Sequence, residues 1–252
     1  MSNLQNESFK RFLKSFNEGK YNDHNFYDTI TEISRKESGD KSPLIISKKE
    51  MYSLDDIAKG CSSLKDNLPK TVDALWYKEE DDGIFSIYLI EFKFHNLDSP
   101  DAKDQLNAFV DNVYSERKKY NCISDDEKYE LNRIKKYYED NVSHSLILKP
   151  IESLNVVIPK LYDEYCHKSS DNERININEY LNTIKKKYYV FVSTYTENGK
   201  FNPQNERLIS QGTKLEKHFD RLVSGNIIDY YEIKPRCDFD AFLKLEQLKN
   251  NE

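Results

Sequence analysis

Glycine is scarce in this chain: seven in 252 residues, with no GxGxxG and no GxxxxGK[ST]. The common dinucleotide- and nucleoside triphosphate-binding loops are therefore excluded, because their backbones need glycine to approach the phosphates. Cysteine is scarce as well. Cys61, Cys122, Cys166 and Cys237 stand apart with no CxxC, which excludes a zinc ribbon and a disulfide framework. They read as four free thiols in a reducing, cytoplasmic setting. The five histidines show neither HxH nor HExxH spacing. No apolar run nears the roughly 18–20 residues of a membrane span, and the opening MSNLQNESFKRFLK has no apolar signal-peptide centre. No membrane partner is expected. Nor is there an excess of positive charge: 38 Lys and Arg stand against 44 Asp and Glu, a net of −6, which excludes a polybasic nucleic-acid coat.

What the chain does have is aromatic mass. Eighteen tyrosines, 13 phenylalanines and one tryptophan, set in recurring apolar runs, are not the composition of a disordered chain. The spacing of Phe26, Ile30 and Ile33 predicts a helix over 22–37, followed by a short strand over 44–47 and a helix from Ser53 to Leu64. The β-prone runs 71–78 and 84–94, joined by a polar turn ending in Asp82-Gly83, predict a hairpin. Ser99-Pro100 opens a helix with Ala102, Leu106, Phe109, Val110 and Val113 on one face. Further helices are expected at 126–140 and 144–166, the latter broken or kinked at Pro150 and Pro159. Residues 167–178 read as loop, 188–195 and 227–233 as strands, and 214–223 and 238–248 as helices. Helices interleaved with a small mixed sheet predict an α/β sandwich in a single domain, 1–252.

The hairpin carries the chemistry. Side chains alternate along a strand, so Phe85, Ile87, Leu89, Glu91 and Lys93 share one face, apolar until an acid and a base close it. Asp73 lies at the matching end of the preceding strand, where antiparallel pairing brings it to Glu91. Two carboxylates hold a magnesium ion and leave positions for water and phosphate. The ion acidifies water and neutralises phosphate charge, and an ammonium at Lys93 assists. As polar site groups these residues are expected near solvent. Other acid-x-Lys triplets occur, including Glu232-Ile233-Lys234 at the end of a strand, but that one has no hairpin partner acid. Lys149 and Glu152, on one helix face, read as a surface pair. Residues 185–221 hold 8 Lys and Arg against 4 Asp and Glu, the one sizeable basic segment.

Asp73 followed by Glu91-Phe92-Lys93 at the end of an apolar strand resembles the PD-(D/E)XK nuclease superfamily. Gln105-Leu106-Asn107-Ala108-Phe109 on the next helix is similar to the QxxxY element of its RecB-like and Cas4-like members, with Phe109 in place of tyrosine. Val72 stands where the named proline would be. The resemblance implies a restriction endonuclease-like α/β/α sandwich. Its core would be 22–119 and 187–234, with a helical insertion at 120–185. It further implies Mg²⁺, with Mn²⁺ as substitute, held by Asp73, Glu91 and the Phe92 carbonyl. Lys93 would act on water, Gln105 would position the site, and Glu32 would be an additional upstream acid. The implied activity is phosphodiester hydrolysis in nucleic acid, with DNA as the expected substrate and a homodimer compatible with the family. The alternative is a non-catalytic nucleic-acid- or protein-binding protein that keeps the fold.

Overall fold

A computed structural model of the chain describes residues 3–16, 26–35, 43–64, 68–80, 83–93, 146–169, 174–195, 201, 206, 209 and 214–248. Among these residues six strands form one open mixed sheet in chain order: β1 (Tyr27–Thr29), β2 (Glu50–Ser53), β3 (Ala74–Glu79), β4 (Phe85–Lys93), β5 (Lys185–Val192) and β6 (Tyr230–Pro235). The first four pair antiparallel, and β4, β5 and β6 run parallel. The expected hairpin is β3–β4. Its turn closes through the Gly83 N–H donating to Glu80 O and the Glu80 N–H donating to Ile84 O, both 2.9 Å, with Gly83 at φ 72°, a conformation that favours glycine.

Helices cover both faces. Phe85 and Phe92 differ in parity along β4 and so point to opposite sides. On the Phe85 side lie α1 (Asn3–Lys14), through Phe9 at 5.8 Å between rings, and α5 (Ile177–Leu181), through Tyr180 at 6.3 Å. Helix α4 joins them there. It is described from residue 146, passes a π-type turn at Ser153–Val157 and continues as Ile158–Lys168, with Tyr162 packed 5.2 Å from Phe12 of α1. Helix α6 (Lys214–Ser224) packs Phe219 on Tyr188. The Phe92 side is covered by α7 (Phe239–Leu245), whose Phe239 and Phe242 contact Phe92, Phe191, Tyr88 and Tyr189. Two short helices, α2 (Ile30–Ile33) and α3 (Leu54–Gly60), follow β1 and β2.

Several expectations are corrected. Of the helix predicted over 22–37, the described residues 26–35 form strand β1 and the single turn of α2, because Tyr27–Thr29 pairs with Glu50–Tyr52 and pairing overrides the helical spacing. Residues 44–47 form no strand. Hydroxyls stand in for ladder partners: Ser34 Oγ bonds the backbone of Ile45, and Thr31 Oγ1 bonds that of Ser47. Ile227 and Ile228 close α6 instead of opening β6, with the Ile227 N–H reaching back to Leu222 O beside Asn226 at φ 56°. Neither Pro150 nor Pro159 breaks α4. The wider π-type turn takes up the backbone ahead of Pro159, and the Asn155 side chain donates to Ile151 O at 2.9 Å. Of the stretch 120–185, the described residues bury Leu146, Leu154, Val157, Leu161 and Tyr180 in the same hydrophobic cluster as the sheet. The helices expected at 99–113 and 126–140 lie outside the described residues.

Candidate functional site

The β3–β4 register sets Ala74 opposite Ile90, so Asp73, one residue before β3, stands across from Glu91. Asp73 is held by both of its ends. Its carbonyl accepts the Leu54 N–H at 3.2 Å, which seats the first turn of α3, and its Oδ2 accepts the Phe92 N–H at 2.7 Å. A carboxylate thus extends the backbone ladder by one bond. The N–H and C=O of a strand residue point the same way, so the Phe92 carbonyl faces this side too. On β4, Phe85, Ile87 and Leu89 bury the strand face down to Glu91, and Lys93 then reaches back to bring Nζ within 2.5 Å of Glu91 Oε1.

The third participant comes from α4. Lys149 Nζ donates to Glu91 Oε1 at 2.7 Å, to Glu91 Oε2 at 2.8 Å and to Asp73 Oδ1 at 3.2 Å. Residues three and four apart share a helix face, and the two that share a face with Lys149 grip the approach to Asp73. Glu152 accepts the Lys70 N–H, and Ser153 Oγ accepts the Val72 N–H at 3.1 Å. Leu146 of α4 is itself tied to β5, where the Tyr188 hydroxyl donates to its carbonyl at 3.2 Å. One helical turn therefore fixes the segment 70–73 and neutralises the acid pair.

Glu91 is fully buried, 0% exposed, which corrects the expectation of a solvent-facing carboxylate; Lys149, itself 15% exposed, lies over it. Burial first, and then the charge of Asp73, push the Glu91 carboxyl above its ordinary range, while Lys93 and Lys149 pull it back. Burial alone would depress the Lys149 ammonium. The charges of Asp73 and Glu91, with the hydrogen bonds to both, reverse this and hold it well above the usual lysine range, so Lys149 is charged. Asp55, in the first turn of α3, also feels it. Burial pushes Asp55 up, but hydrogen bonds from Lys59 and Thr71 and the charges of Lys59 and Lys149 keep it below its ordinary value.

Three oxygens from two carboxylates thus converge on one cation. They are the hard donors that magnesium takes while keeping several of its waters, so the donor set fits such an ion. Among the described residues no group of three or more His, Cys, Asp or Glu converges.

The other predicted residues fall elsewhere. Glu32 is not at this site. It lies beyond Thr29, which pairs with Glu50, whereas the Asp73 end of the sheet is at Ser53 and Ala74. There it is exposed and ion-paired with Arg35 at 2.9 Å. Gln105 and Phe109 lie outside the described residues. The rival Glu232 and Lys234 pair with each other at 2.8 Å on edge strand β6, and Glu232 is paired across the ladder with Tyr189, not with an acid. The basic segment is partly spent inside the fold: Lys186 faces Asp229 at 3.5 Å, and Lys187 pairs with Glu246 at 2.8 Å and Glu80 at 3.2 Å. Sequence reasoning missed Lys149 as a site residue and did not single out Ser153 or Asp55. The i, i+3, i+4 spacing of Lys149, Glu152 and Ser153 was the available signal.

Cys61, Cys166 and Cys237 are free thiols. Among the described residues no helix is long and apolar enough to cross a membrane. No family model, curated protein or solved structure matches the chain. Fold and site together define an α/β protein with an acid pair and two lysines at the carboxyl end of its central strand, where open α/β sheets place their ligands.

Proposed function

We propose that the chain is a metal-dependent nuclease of the PD-(D/E)XK superfamily, with the restriction endonuclease-like arrangement of that group. In this reading it hydrolyses phosphodiester bonds, with DNA as the substrate. The observation that carries the reading is the meeting of Asp73 and Glu91 across adjacent strands around a single cation, with Lys93 on the same side. Magnesium, or manganese in its place, supplies charge neutralisation at the phosphate and a more acidic water. Asp73 and Glu91 are the residues that would hold it, and the Phe92 carbonyl lies on the same side. The bond from the Phe92 N–H occupies Oδ2 and leaves Oδ1, now on Lys149, as the oxygen that would be offered to an ion. Lys93, 27% exposed, is the cation that solvent and a phosphate reach. It neutralises charge on the scissile group and orients the attacking water. The apolar residues below Glu91 exclude water from the floor of the site.

A second reading has an observation of its own. Lys149 already balances the acid pair, as it would in a nucleic-acid- or protein-binding protein that keeps the fold without turnover. The two are separated by cleavage assays with Mg²⁺ and Mn²⁺ on single-stranded, duplex and branched DNA, run beside Lys93→Ala and a chelator control. Metal-dependent cutting that Lys93→Ala impairs supports the nuclease. Equal cutting by both proteins, or none by either, overturns it.

A further inference from the structure

The placement of Lys149 goes further than a supporting ion pair. Its Nζ binds both oxygens of Glu91 and one of Asp73, the same oxygens that would receive a divalent ion. Two cations do not share three oxygens at contact distance, since their repulsion at a few ångströms in a buried setting is large. We propose that Lys149 is an intramolecular placeholder for the metal: it holds the two carboxylates together in the metal-free protein and is displaced when a divalent ion binds. This rests on the nuclease reading of the same site and adds how its metal binding is regulated.

Glu91 is fully buried, and a buried carboxylate left beside Asp73 without a cation is costly, so the metal-free state needs a counter-ion. Lys93 alone does not supply it for both acids, because it contacts Glu91 at Oε1. Lys149 does, from a helix whose next turn is anchored independently through Glu152 and Ser153. The lysine stem can therefore swing away while α4 and the segment 70–73 stay docked. Lysine suits this role better than arginine, being a flexible point cation without a planar fork. The site is kept in register without metal, and metal affinity is lowered by the competition.

Two measurements test this. In the wild-type protein, reductive methylation by formaldehyde and cyanoborohydride is followed by peptide mass spectrometry, with and without Mg²⁺. Lys149 should be protected without the ion and label several-fold faster with it, while the lysines of α1 do not change. Unchanged or slower labelling of Lys149 at a Mg²⁺ concentration shown to bind overturns the proposal. The second measurement is calorimetric titration of Mn²⁺ into wild type and Lys149→Met. The variant should bind roughly tenfold more tightly or better, and its melting temperature should be lower without metal and recover with it. Equal or weaker binding by a folded variant overturns the placeholder and leaves the nuclease reading standing. Absence of Mn²⁺ binding in both proteins overturns the metal reading itself, and the placeholder with it.

Discussion

Asp73 Oδ2 accepts the Phe92 N–H at 2.7 Å, so a candidate metal ligand is also a rung of the β3–β4 ladder. The two duties are separable because they use different oxygens: Oδ1 is the one that meets Lys149. Asp73→Asn keeps an acceptor for Phe92 and removes the charge. The expected outcome is a melting temperature within a few degrees of wild type and loss of metal-dependent cleavage, checked by thermal denaturation and a nuclease assay. Asp73→Leu, which removes both functions, should lower stability as well, by the roughly 1–3 kcal/mol of an unsatisfied buried donor.

Glu91 and Lys93 should part company in the same assays. Glu91 is enclosed and shared between two ammoniums, so Glu91→Gln should cost about 3 kcal/mol of stability besides abolishing metal-dependent turnover. Lys93 is partly exposed, and Lys93→Ala should leave the unfolding curve nearly unchanged while cutting turnover about 10²–10³-fold. Denaturant titration beside single-turnover kinetics measures both. A stable Glu91→Gln variant would contradict the buried ion cluster.

The hairpin, and with it the Asp73–Glu91–Lys93 set, was legible because a strand with period two needs only local sequence to say which residues share a face. Lys149 was not. Its partners are 58 and 76 residues away in the chain, and on its own helix it is an ordinary lysine near an ordinary glutamate. Glu32 failed for the complementary reason. The resemblance implies only an acid upstream of the hairpin, and β1 carries Glu32 to the opposite end of the sheet. Helix α1 was legible but not among the expected elements: Phe9, Phe12, Leu13 and Phe16 recur at i, i+3, i+4 and i+7, and all four are buried.

That helix supplies a test of the core. Phe12 is fully buried and meets Phe16, Tyr162 and Tyr165 edge-on. Phe12→Ala should cost about 3–5 kcal/mol, the price of a cavity left by a large aromatic. It should also loosen α4, so site integrity should fall with stability. Urea unfolding gives the first quantity, and hydrogen exchange across residues 146–168 gives the second.

Acid stability should depend on a cluster at the other end of the sheet. Glu80 accepts from Lys187 and Tyr88, and pairs with Lys78 at 3.0 Å. Burial pushes its carboxyl up, but the bonds to Lys78 and Lys187 outweigh this and bring it from 4.5 down to about 2. A carboxyl depressed in the folded state adds stability that is fully present above its unfolded value and is lost as pH falls through the folded one. The window is therefore between about pH 4.5 and about 2. At about 1.4 kcal/mol per unit the shift corresponds to about 3 kcal/mol, which screening at this partly solvated site reduces to about 1 kcal/mol. Glu80→Gln should flatten the acid limb of a stability–pH profile by that amount. An unchanged limb would show that the cluster is neutralised otherwise.

Ser153 gives the sharpest test of whether α4 positions the site. Its hydroxyl is buried and accepts the Val72 N–H, one residue before Asp73. Ser153→Ala leaves that N–H without its acceptor, at a cost of roughly 1–3 kcal/mol, and frees the backbone that aims Asp73. Loss of aim acts on turnover, because a displacement of about 1 Å at a reacting group costs about 10²-fold. Ser153→Thr keeps the acceptor, so it should restore turnover even if its extra methyl costs some stability. A merely structural role would make activity follow stability in both variants. Turnover that falls in Ser153→Ala and recovers in Ser153→Thr, measured well below either melting temperature and at saturating metal, identifies positioning. Turnover equal in all three proteins would show that the Ser153 bond does not aim Asp73 and would leave that task to the hairpin.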